Sequence, residues 1–323
     1  MEDAVIRAFL GANMDRVRVG TFNVENLFAR YRFRRNFDPV ENDGFTINNL
    51  AFEIFDEADK RVTAKAILEC DVDIFALQEV ENLLILDSFH SRYMRGKQYP
   101  YRLLIDGNDP RNIDVAVLSR YPINWARSYR HERDDEGRAG RFSRDLLEIE
   151  FDVRGAPLRL FVNHLKSMMG GRKETRPRRL DQANRVAAIL NDRCGPDFGG
   201  NFIVLGDLND YPEPGDGTTT ALDALLTHPE LVNILKRLPA EEQWTHWYKS
   251  GRRNERARQL DYLLVGRQLD DRAGRPVPTV YRKGLPSRAE EYQGDRLPEV
   301  GEDDPKASDH CPFYVDIPIA ALT

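Results

Sequence analysis

The stretch FIVLGDLND, residues 202–210, joins four apolar residues to a glycine, a carboxylate and an amide. A short apolar run that ends in a polar turn is typical of a β-strand buried on both faces. Seven more apolar runs of this kind lie at 17–22, 74–77, 113–118, 146–151, 158–162, 260–265 and 313–317. The sequence therefore predicts a fold whose centre is formed by buried strands.

Helical periodicity appears between some of these runs. Residues 58–69 and 180–191 carry apolar side chains three and four positions apart, and 218–226 is a third candidate helix. The runs 146–151 and 158–162 have the spacing of a hairpin, which indicates antiparallel pairing. We therefore expect an α/β protein with packed sheets and helices outside them, rather than a doubly wound parallel sheet.

Composition limits the class of protein. The chain has 323 residues, 41% of them apolar or aromatic, enough for one large domain or two smaller ones. Because 47 basic residues stand against 53 acidic ones, a nucleic-acid binder would need its cations gathered on one face. Cys70, Cys194 and Cys311 fit neither a zinc site nor a disulfide framework, so we expect reduced and mostly buried thiols.

The sequence shows no membrane segment. Residues 1–16 contain one short apolar run, 8–12, and no later stretch approaches the roughly 20 apolar residues that span a bilayer. We expect a cytoplasmic protein, and a secreted one stays open if a leader was removed. No obligate protein partner is evident. The segments 31–56, 192–200 and 268–306 are interpreted as surface insertions.

Polar side chains stand where the predicted strands end or begin. Each one alone is most often a turn residue that bonds its own backbone. Together they could converge on one cleft, because the ends of adjacent strands meet at one edge of a sheet. These residues are Asn23, Glu79, Asn163, His164, Asp207, Asn209, Asp261, Asp309 and His310.

These groups suit phosphoryl chemistry with a hard metal ion. Carboxylate and amide oxygens without a Cys/His cluster favour Mg²⁺, for which Mn²⁺ can substitute. An aspartate can deprotonate a water, and a histidine held by a carboxylate can donate to phosphoryl oxygens. Asp261 is a ready partner for His310, a contact that we expect to need adjacent strands. No Ser or Cys is placed as a nucleophile among these groups, which favours direct attack by water.

Six short motifs follow one another in a family-specific order. They are Thr21-Phe22-Asn23, Leu77-Gln78-Glu79, Asn163-His164-Leu165-Lys166-Ser167, Gly206-Asp207-Leu208-Asn209-Asp210, Leu260-Asp261-Tyr262 and Ser308-Asp309-His310. This succession resembles the endonuclease/exonuclease/phosphatase superfamily, which includes pancreatic-type deoxyribonuclease, abasic-site endonucleases, neutral sphingomyelinases and inositol polyphosphate 5-phosphatases. The resemblance implies a four-layer α/β sandwich of two mixed β-sheets flanked by helices. It indicates an N-terminal extension at 1–16 and a single domain at 17–320.

The resemblance also implies catalytic roles. Asp207 would position and activate the attacking water, and Asn209 would hold a phosphate oxygen. His310, oriented by Asp261, would stabilise the pentacovalent transition state. His164 corresponds to a phosphate-contacting histidine of the deoxyribonuclease and sphingomyelinase branches.

Metal and phosphate contacts are implied in the same way. Glu79 would be the principal metal ligand, with Asn23 beside it, and Asp309 would support this site or a second ion. Arg144 resembles a phosphate-contacting arginine of the family, and Arg141 is its nearby competitor.

Details of the motifs bear on the branch. Val80-Glu81-Asn82 follows Glu79 where abasic-site enzymes commonly have Thr-Lys, and Gln259-Leu260-Asp261 stands where inositol phosphatases carry a different segment. Both departures argue against those activities. The run Asn163 to Ser167 with Arg179 and Gln182-Ala183 downstream is similar to bacterial nuclease-like members of unassigned substrate.

Two basic stretches bear on the substrate. They contain Arg172, Lys173, Arg176, Arg178 and Arg179, and then Arg252, Arg253, Arg256 and Arg258. Such stretches either hold a polyanionic backbone or form solvated faces. Trp244, Trp247 and Tyr248 could stack on bases or pack in the core. The substrate-binding candidates are Arg144, Arg141, Lys166, Arg172, Lys173 and Arg258.

Three hypotheses about function stay open. The favoured one is a magnesium-dependent nuclease that cleaves DNA or RNA by in-line attack of an activated water, with nucleic acid as its partner. A phosphodiesterase or phosphatase acting on a small molecule or a lipid headgroup, in the manner of a sphingomyelinase, is the alternative. A catalytically silent binding protein on the same fold is the third.

Overall fold

A computed structural model describes residues 15–33, 50–54, 56–94, 98–215, 217–251 and 256–323. The strands in this part of the chain are β1 (Arg16–Leu27), β2 (Ala29–Phe33), β3 (Leu50–Ile54), β4 (Ile74–Val80), β5 (Tyr101–Leu104), β6 (Asp114–Ser119), β7 (Ile123–Ser128), β8 (Leu147–Val153), β9 (Ala156–His164), β10 (Phe202–Asp207), β11 (Leu231–Asn233), β12 (His246–Trp247), β13 (Ala257–Arg258), β14 (Asp261–Gly266), β15 (Thr279–Val280) and β16 (Phe313–Pro318). The α-helices are α1 (Glu57–Cys70), α2 (Leu83–Tyr93), α3 (Arg172–Cys194), α4 (Asp223–Leu226) and α5 (Arg267–Arg272). Short 3₁₀ turns lie at Ile234–Arg237, Ala240–Glu242 and Ile319–Ala321.

Two six-stranded sheets form the centre of the protein. The first has the spatial order β15-β16-β1-β4-β6-β5, and the second has the order β11-β14-β10-β9-β8-β7. Each contains one parallel pair, β1 with β4 and β9 with β10, among antiparallel neighbours. The prediction of two mixed sheets is therefore confirmed, and so is the antiparallel pairing of β8 with β9.

The central strands β4, β6, β10 and β14 are largely apolar because both of their faces are buried. Along β4, Ile74 and Ala76 join the core between the two sheets, whereas Phe75 and Leu77 pack in a second core with α1 and α2. Along β10, Ile203 faces the intersheet core and Val204 faces α3. Successive side chains of a strand point to opposite faces, so a doubly covered strand has no polar positions. The result is the four-layer sandwich that the sequence predicts.

All eight apolar runs form strands, and α1 and α3 contain the predicted helices 58–69 and 180–191. The candidate helix 218–226 is correct only for its last four residues, which form α4. Its first residues are held by other groups, since the Ala221 amide donates to Asp210 at 2.7 Å. The expected turn region 192–200 begins late, because α3 continues to Cys194.

The two long insertions contain ordered structure. Within 31–56, β3 pairs with β2, and residues 34–49 and 55 lie outside the described residues. Within 268–306, Leu285 and Ala289 are buried in a small core with Trp244 and Trp247. Both tryptophans therefore pack in the core and are not open stacking surfaces.

The cysteines and the helices of the described residues bear on two of the predictions made from the sequence. All three cysteines are free thiols, two of them buried and Cys194 half-buried. No helix in the described ranges is long and apolar enough to cross a membrane.

Candidate active site

The polar strand ends of both sheets lie at one end of the sandwich. In the second sheet, the register pairs Asp207 with His164 on one side and with Asp261 on the other. In the first sheet, Asn23 pairs with Gln78, so Glu79 follows directly at the same edge. The two edges meet because the Asn23 amide donates to Asp207 at 3.1 Å.

Asp207 lies at the centre of this end and is almost fully buried, with 1% of its surface exposed. Asn23 Nδ2 donates to it, and so do the backbone N–H and Nδ2 of Asn209, each at 2.9 Å. Burial raises the pKa of Asp207 to about 7, with Asp261 adding to the shift and His310 opposing it. A buried carboxyl group with this pKa can take up and release a proton near neutral pH.

The backbone around Asp207 allows this close packing. Gly206 has φ of 129°, and a Cβ there would lie 2.0 Å from the Asn163 carbonyl oxygen. Only glycine therefore lets β10 approach β9 at this point. Asn209 adopts a left-handed conformation with φ of 56°, and its turned backbone allows it to donate twice to Asp207.

His310 and Asp261 make the central contact between the two sheets. His310 Nδ1 lies 2.9 Å from Asp261 Oδ2, and His310 Nε2 lies 3.9 Å from Asp207 Oδ2. Burial opposes the charge on His310, but Asp261 and Asp207 outweigh it and raise its pKa well above the ordinary value. These contacts favour the imidazolium form of His310.

The expectation that this contact needs adjacent strands is wrong. Asp261 opens β14 in the second sheet, whereas His310 precedes β16 in the first sheet. The two residues reach each other across the space between the sheets. A second link ties His310 to β1, because Ser308 Oγ accepts from the His310 N–H at 3.0 Å and donates to the Asn23 carbonyl at 2.7 Å.

His164 lies on the other side of Asp207. Its Nε2 is 3.5 Å from Asp207 Oδ2, and the residue is 2% exposed. Burial lowers its pKa well below the ordinary value, and the nearby charges of Arg144 and His310 act in the same direction. His164 is therefore a neutral imidazole, in contrast to His310.

The first-sheet side carries the predicted metal ligands. Glu79 has φ of 66° at an irregularity in β4, and its Oε2 accepts from the Asn26 N–H at 3.0 Å. The side chain of Asp309 is 36% exposed, and its backbone N–H donates to Glu25 at 2.9 Å. Half-exposed carboxylates beside an amide oxygen are the donor set that a hard divalent cation takes, with water as the remaining ligands.

Three further residues on this side of the site were not predicted from the sequence: Glu25, His246 and Lys306. Lys306 Nζ lies 3.1 Å from Glu25, whose pKa burial raises to about 7 with a further contribution from Asp309. His246 Nε2 is 3.5 Å from Asp309, and its ring centroid is 4.5 Å from that of His310. Glu25 could have been found, because it stands two residues after Asn23 on the same strand. His246 lies in a two-residue strand and has no such signal.

The pKa of Asp309 reflects this surrounding. Enclosure by the site disfavours its charge, but the hydrogen bond and charge of His246, together with His310 and Lys306, outweigh it. The pKa of Asp309 is therefore held well below its ordinary value, and the group is a carboxylate at any physiological pH.

Comparison with known families agrees with this arrangement. A model of the endonuclease/exonuclease/phosphatase family matches residues 18–274. The chain belongs to this family. Members of the family are hydrolases that act on phosphodiester bonds and generally use divalent metals. No curated protein matches the sequence of this family member.

Solved structures of the endonuclease/exonuclease/phosphatase fold are similar over nearly the whole chain. The human nocturnin catalytic domain with bound sulfate is 17% identical, with a TM-score of 0.55 and 93% of each chain covered. Truncated TDP2 from Caenorhabditis elegans is 16% identical, with a TM-score of 0.57 and coverage of 94% of this chain and 98% of that one. Sphingomyelinase C from Streptomyces griseocarneus is 16% identical, with a TM-score of 0.57 and coverage of 94% and 99%. At these identities the similarity shows the fold alone.

Arg144 lies at the site of this family member. Its Nη1 donates to the Leu165 carbonyl at 3.2 Å, and the same oxygen accepts from Asn209 Nδ2 at 3.2 Å. Arg141 instead pairs with Asp135 and lies 3.4 Å from Asp181. The structure thus places Arg144, and not Arg141, beside the strand ends that carry Asp207 and Asn209.

The first basic stretch is largely tied to the loop after β10. Arg172 lies 2.6 Å from Asp210, and Arg179, fully buried, lies 3.5 Å from the same carboxylate. Lys173 is exposed. Arg258 lies over the ring of Tyr211, 5.5 Å from its centroid.

The second basic stretch and the aromatic residues before it are described only in part. Arg252 and Arg253 lie outside the described residues. Of the three aromatic residues considered for base stacking, Trp244 and Trp247 are buried, whereas Tyr248 is 55% exposed and open to solvent.

Proposed function

We propose that this family member is a divalent-metal-dependent phosphodiesterase that cleaves nucleic acid by direct attack of water. The observation that supports the proposal best is the pair Asp207 and His310, in which His310 Nε2 lies 3.9 Å from Asp207 Oδ2 while Asp261 engages the opposite ring nitrogen. A carboxylate that accepts a proton and an imidazolium that donates a hydrogen bond are the two groups that hydrolysis of a phosphodiester needs.

Asp207 acts as the general base in this proposal. Its carboxylate is fixed by Asn23 and Asn209, so it can receive the proton of a water molecule without reorganisation. His310 keeps its Nε2–H available, because its Nδ1 is engaged by Asp261. Nε2 then donates to the phosphoryl oxygens as negative charge develops on them. Asn209 and the neutral His164 border the same space.

The residues on the first-sheet side fit a divalent cation. Glu79 and Asp309 would supply carboxylate oxygens and Asn23 an amide oxygen, without any thiolate. Mg²⁺, or Mn²⁺ in its place, would neutralise charge on the phosphate oxygens when bound there.

Nucleic acid is favoured as the substrate because cationic side chains border the catalytic edge, by which we mean the strand ends that carry His164, Asp207 and Asn209. Both cations, Arg144 and Lys166, lie on the His164 side of the site. Lys166 belongs to the segment that follows β9, and Arg144 donates to the Leu165 carbonyl of that segment. Backbone phosphates are held by such groups whatever the base sequence. The name of the similar sphingomyelinase keeps a lipid headgroup as the alternative substrate to be tested.

The test is an activity panel with Mg²⁺ or Mn²⁺ and with EDTA. It compares plasmid DNA, single-stranded DNA, RNA, abasic DNA, bis-p-nitrophenyl phosphate and sphingomyelin. We expect metal-dependent cleavage of at least one nucleic acid, with inversion at phosphorus on a chiral phosphorothioate diester. Retention of configuration would contradict direct attack by water, and turnover of sphingomyelin alone would contradict the nucleic-acid substrate.

A further inference from the structure

A cleft of about 440 Å³ opens beside the catalytic edge. Five of the residues that line it are charged: Asp109, Arg111, Arg144, Lys166 and Arg178. We call this feature the basic cleft, because four cations there stand against the carboxylate of Asp109. It is a local concentration of positive charge on a chain whose formal net charge is −6.

The basic cleft is connected to the catalytic residues through the chain after β9. Arg144 lines the cleft, and the Leu165 carbonyl that it bonds also accepts from Asn209. Lys166, the next residue, lines the cleft as well. The charges of Arg144, Arg111 and Lys166 help to lower the pKa of His164 after the larger effect of burial, so all three cations lie close to the site.

The cations of the basic cleft are only partly balanced by carboxylates of the protein. Asp109 is shared by two arginines, at 3.0 Å from Arg111 and 3.1 Å from Arg144. Lys166 Nζ donates to the carbonyl of Ser167 at 3.2 Å and to its hydroxyl at 3.3 Å, and no carboxylate among the described residues pairs with it. Arg178 donates to the Gly140 carbonyl at 3.1 Å and makes no ion pair within 4.0 Å in the described ranges, although the charge of Asp181 lies near it.

Lys166 shows the effect of this surplus. Burial lowers its pKa, and the charges of Arg144, Arg111, Arg178 and Arg179 lower it further. Holding like charges together in a half-buried cleft is unfavourable unless an anion joins them. A phosphate group has the charge and the several acceptor oxygens that a set of lysine and arginine donors requires.

We propose that the basic cleft is a second phosphate subsite, which binds a phosphate next to the scissile one in the same substrate. The inference rests on the proposed function, since it places the scissile phosphate at Asp207 and His310. It narrows the substrate class to molecules with two neighbouring phosphates. That second phosphate is either the next diester of an oligonucleotide or a terminal monoester.

The first experiment compares four substrates that differ in the second phosphate. They are the thymidine dinucleotide TpT, its 5′-phosphorylated form pTpT, its 3′-phosphorylated form TpTp and the trinucleotide TpTpT. We expect kcat/KM for at least one of the last three to exceed that for TpT by about tenfold or more, the effect of a charge-assisted phosphate contact. Preference for TpTpT over the monoesters identifies the diester as the ligand, and the reverse identifies a terminal phosphate.

Variants then assign the preference to the basic cleft. Lys166→Met and Arg178→Gln each remove one unbalanced cation, and we expect each to reduce the preference by about threefold or more. Arg275→Gln is the matched control, because Arg275 is an exposed arginine that follows α5 at the opposite end of β14 from Asp261. Equal values for all four substrates, or variants that slow all four by one factor, would overturn the proposal.

A binding measurement separates this inference from the proposed function. Labelled TpT and pTpT, or TpTp if that is preferred, are titrated into Asp207→Asn with and without Lys166→Met. Tighter binding of the phosphorylated form that is lost in Lys166→Met supports the subsite even if no cleavage is found. Cleavage without any such difference in binding would leave the hydrolase and remove the subsite.

Discussion

The two sheets contribute different halves of one site. The first-sheet edge, comprising Asn23, Glu25, Glu79 and Asp309, presents carboxylates that are half-exposed. The second-sheet edge, comprising His164, Asp207, Asn209 and Asp261, is buried, with no member more than 7% exposed. Open carboxylates suit an ion that must enter with its waters, whereas enclosed ones suit proton transfer between fixed groups. One sheet therefore supplies the side chains that an ion can reach from solvent, and the other supplies the side chains that are held rigidly. The two sets lie next to each other where the sheets face each other.

The largest effect is expected at the second-sheet edge. Asp207→Asn removes the proposed general base, and we expect kcat to fall by about 10³-fold, within the range of such groups. Circular dichroism and thermal unfolding should show a folded protein. Asp223→Asn, an exposed aspartate of α4, is the control and should keep its turnover. Near-full activity of Asp207→Asn with Mg²⁺ present would show that the base lies elsewhere.

The first-sheet edge should respond to metal concentration instead. We expect Glu79→Gln to raise the Mg²⁺ concentration for half-maximal activity by at least about 10- to 100-fold, the loss seen when a residue that only supports a metal ligand is replaced. Excess metal should restore part of its activity but none of the activity lost in Asp207→Asn. Calorimetric titration with Mn²⁺ checks the affinity directly, and Glu299→Gln, at an exposed position, is the control. An unchanged metal dependence would break the distinction between the two edges.

The contact between the edges can be tested as a unit. We expect Asp261→Asn to lose about 10- to 100-fold in kcat/KM, because His310 would lose its orientation and its positive charge. His310→Ala should lose at least as much, and the double variant should be no slower than His310→Ala alone. Additive losses would mean that the residues act separately.

The smallest effect is expected on the stability of the fold, at a buried carboxyl group outside the site. Asp145 precedes β8, is 1% exposed, and accepts from the Tyr129 N–H at 2.8 Å. Burial raises its pKa from 3.8 to about 7, so its contribution to stability is full below pH 4 and is lost as the pH rises through 7. We expect Asp145→Asn to be more stable than the parent at pH 8 by ~1–3 kcal/mol and to lose this advantage at pH 4. Urea unfolding at both pH values measures the difference, and a constant difference would contradict it.

The sequence predicted the strands that are covered on both sides. Continuous apolar runs leave no alternative to a buried strand, so β4, β10 and β14 were visible. β7 was missed because its side chains alternate between half-buried and exposed, and Trp125 and Ile123 are the only large apolar residues in it. α2 was missed since Leu83 and Leu84 are exposed and blur its apolar face.

Most members of the site were predicted from the sequence, but Glu25, His246 and Lys306 were not, and neither was the assembly of the site. Strand-end position and residue type pointed to Asp207, Asn209 and His310, and the structure brings these together. Whether β14 and β16 share a sheet depends on packing between distant strands, which no local pattern contains. The expected use of Arg172 could not be weighed either, because its partner Asp210 approaches it only when α3 packs beside β10.

The link between Ser308 and Asn23 joins residues 285 positions apart. Since synthesis runs from one end of the chain, Asn23, Glu79, Asp207 and Asp261 all emerge from the ribosome well before His310 does. Until then β1 also lacks β16, its neighbour in the first sheet, and its edge is open. The proposed hydrolase therefore lacks His310, and with it the contact to Asp261, until the segment from Ser308 through β16 has been synthesised and has docked.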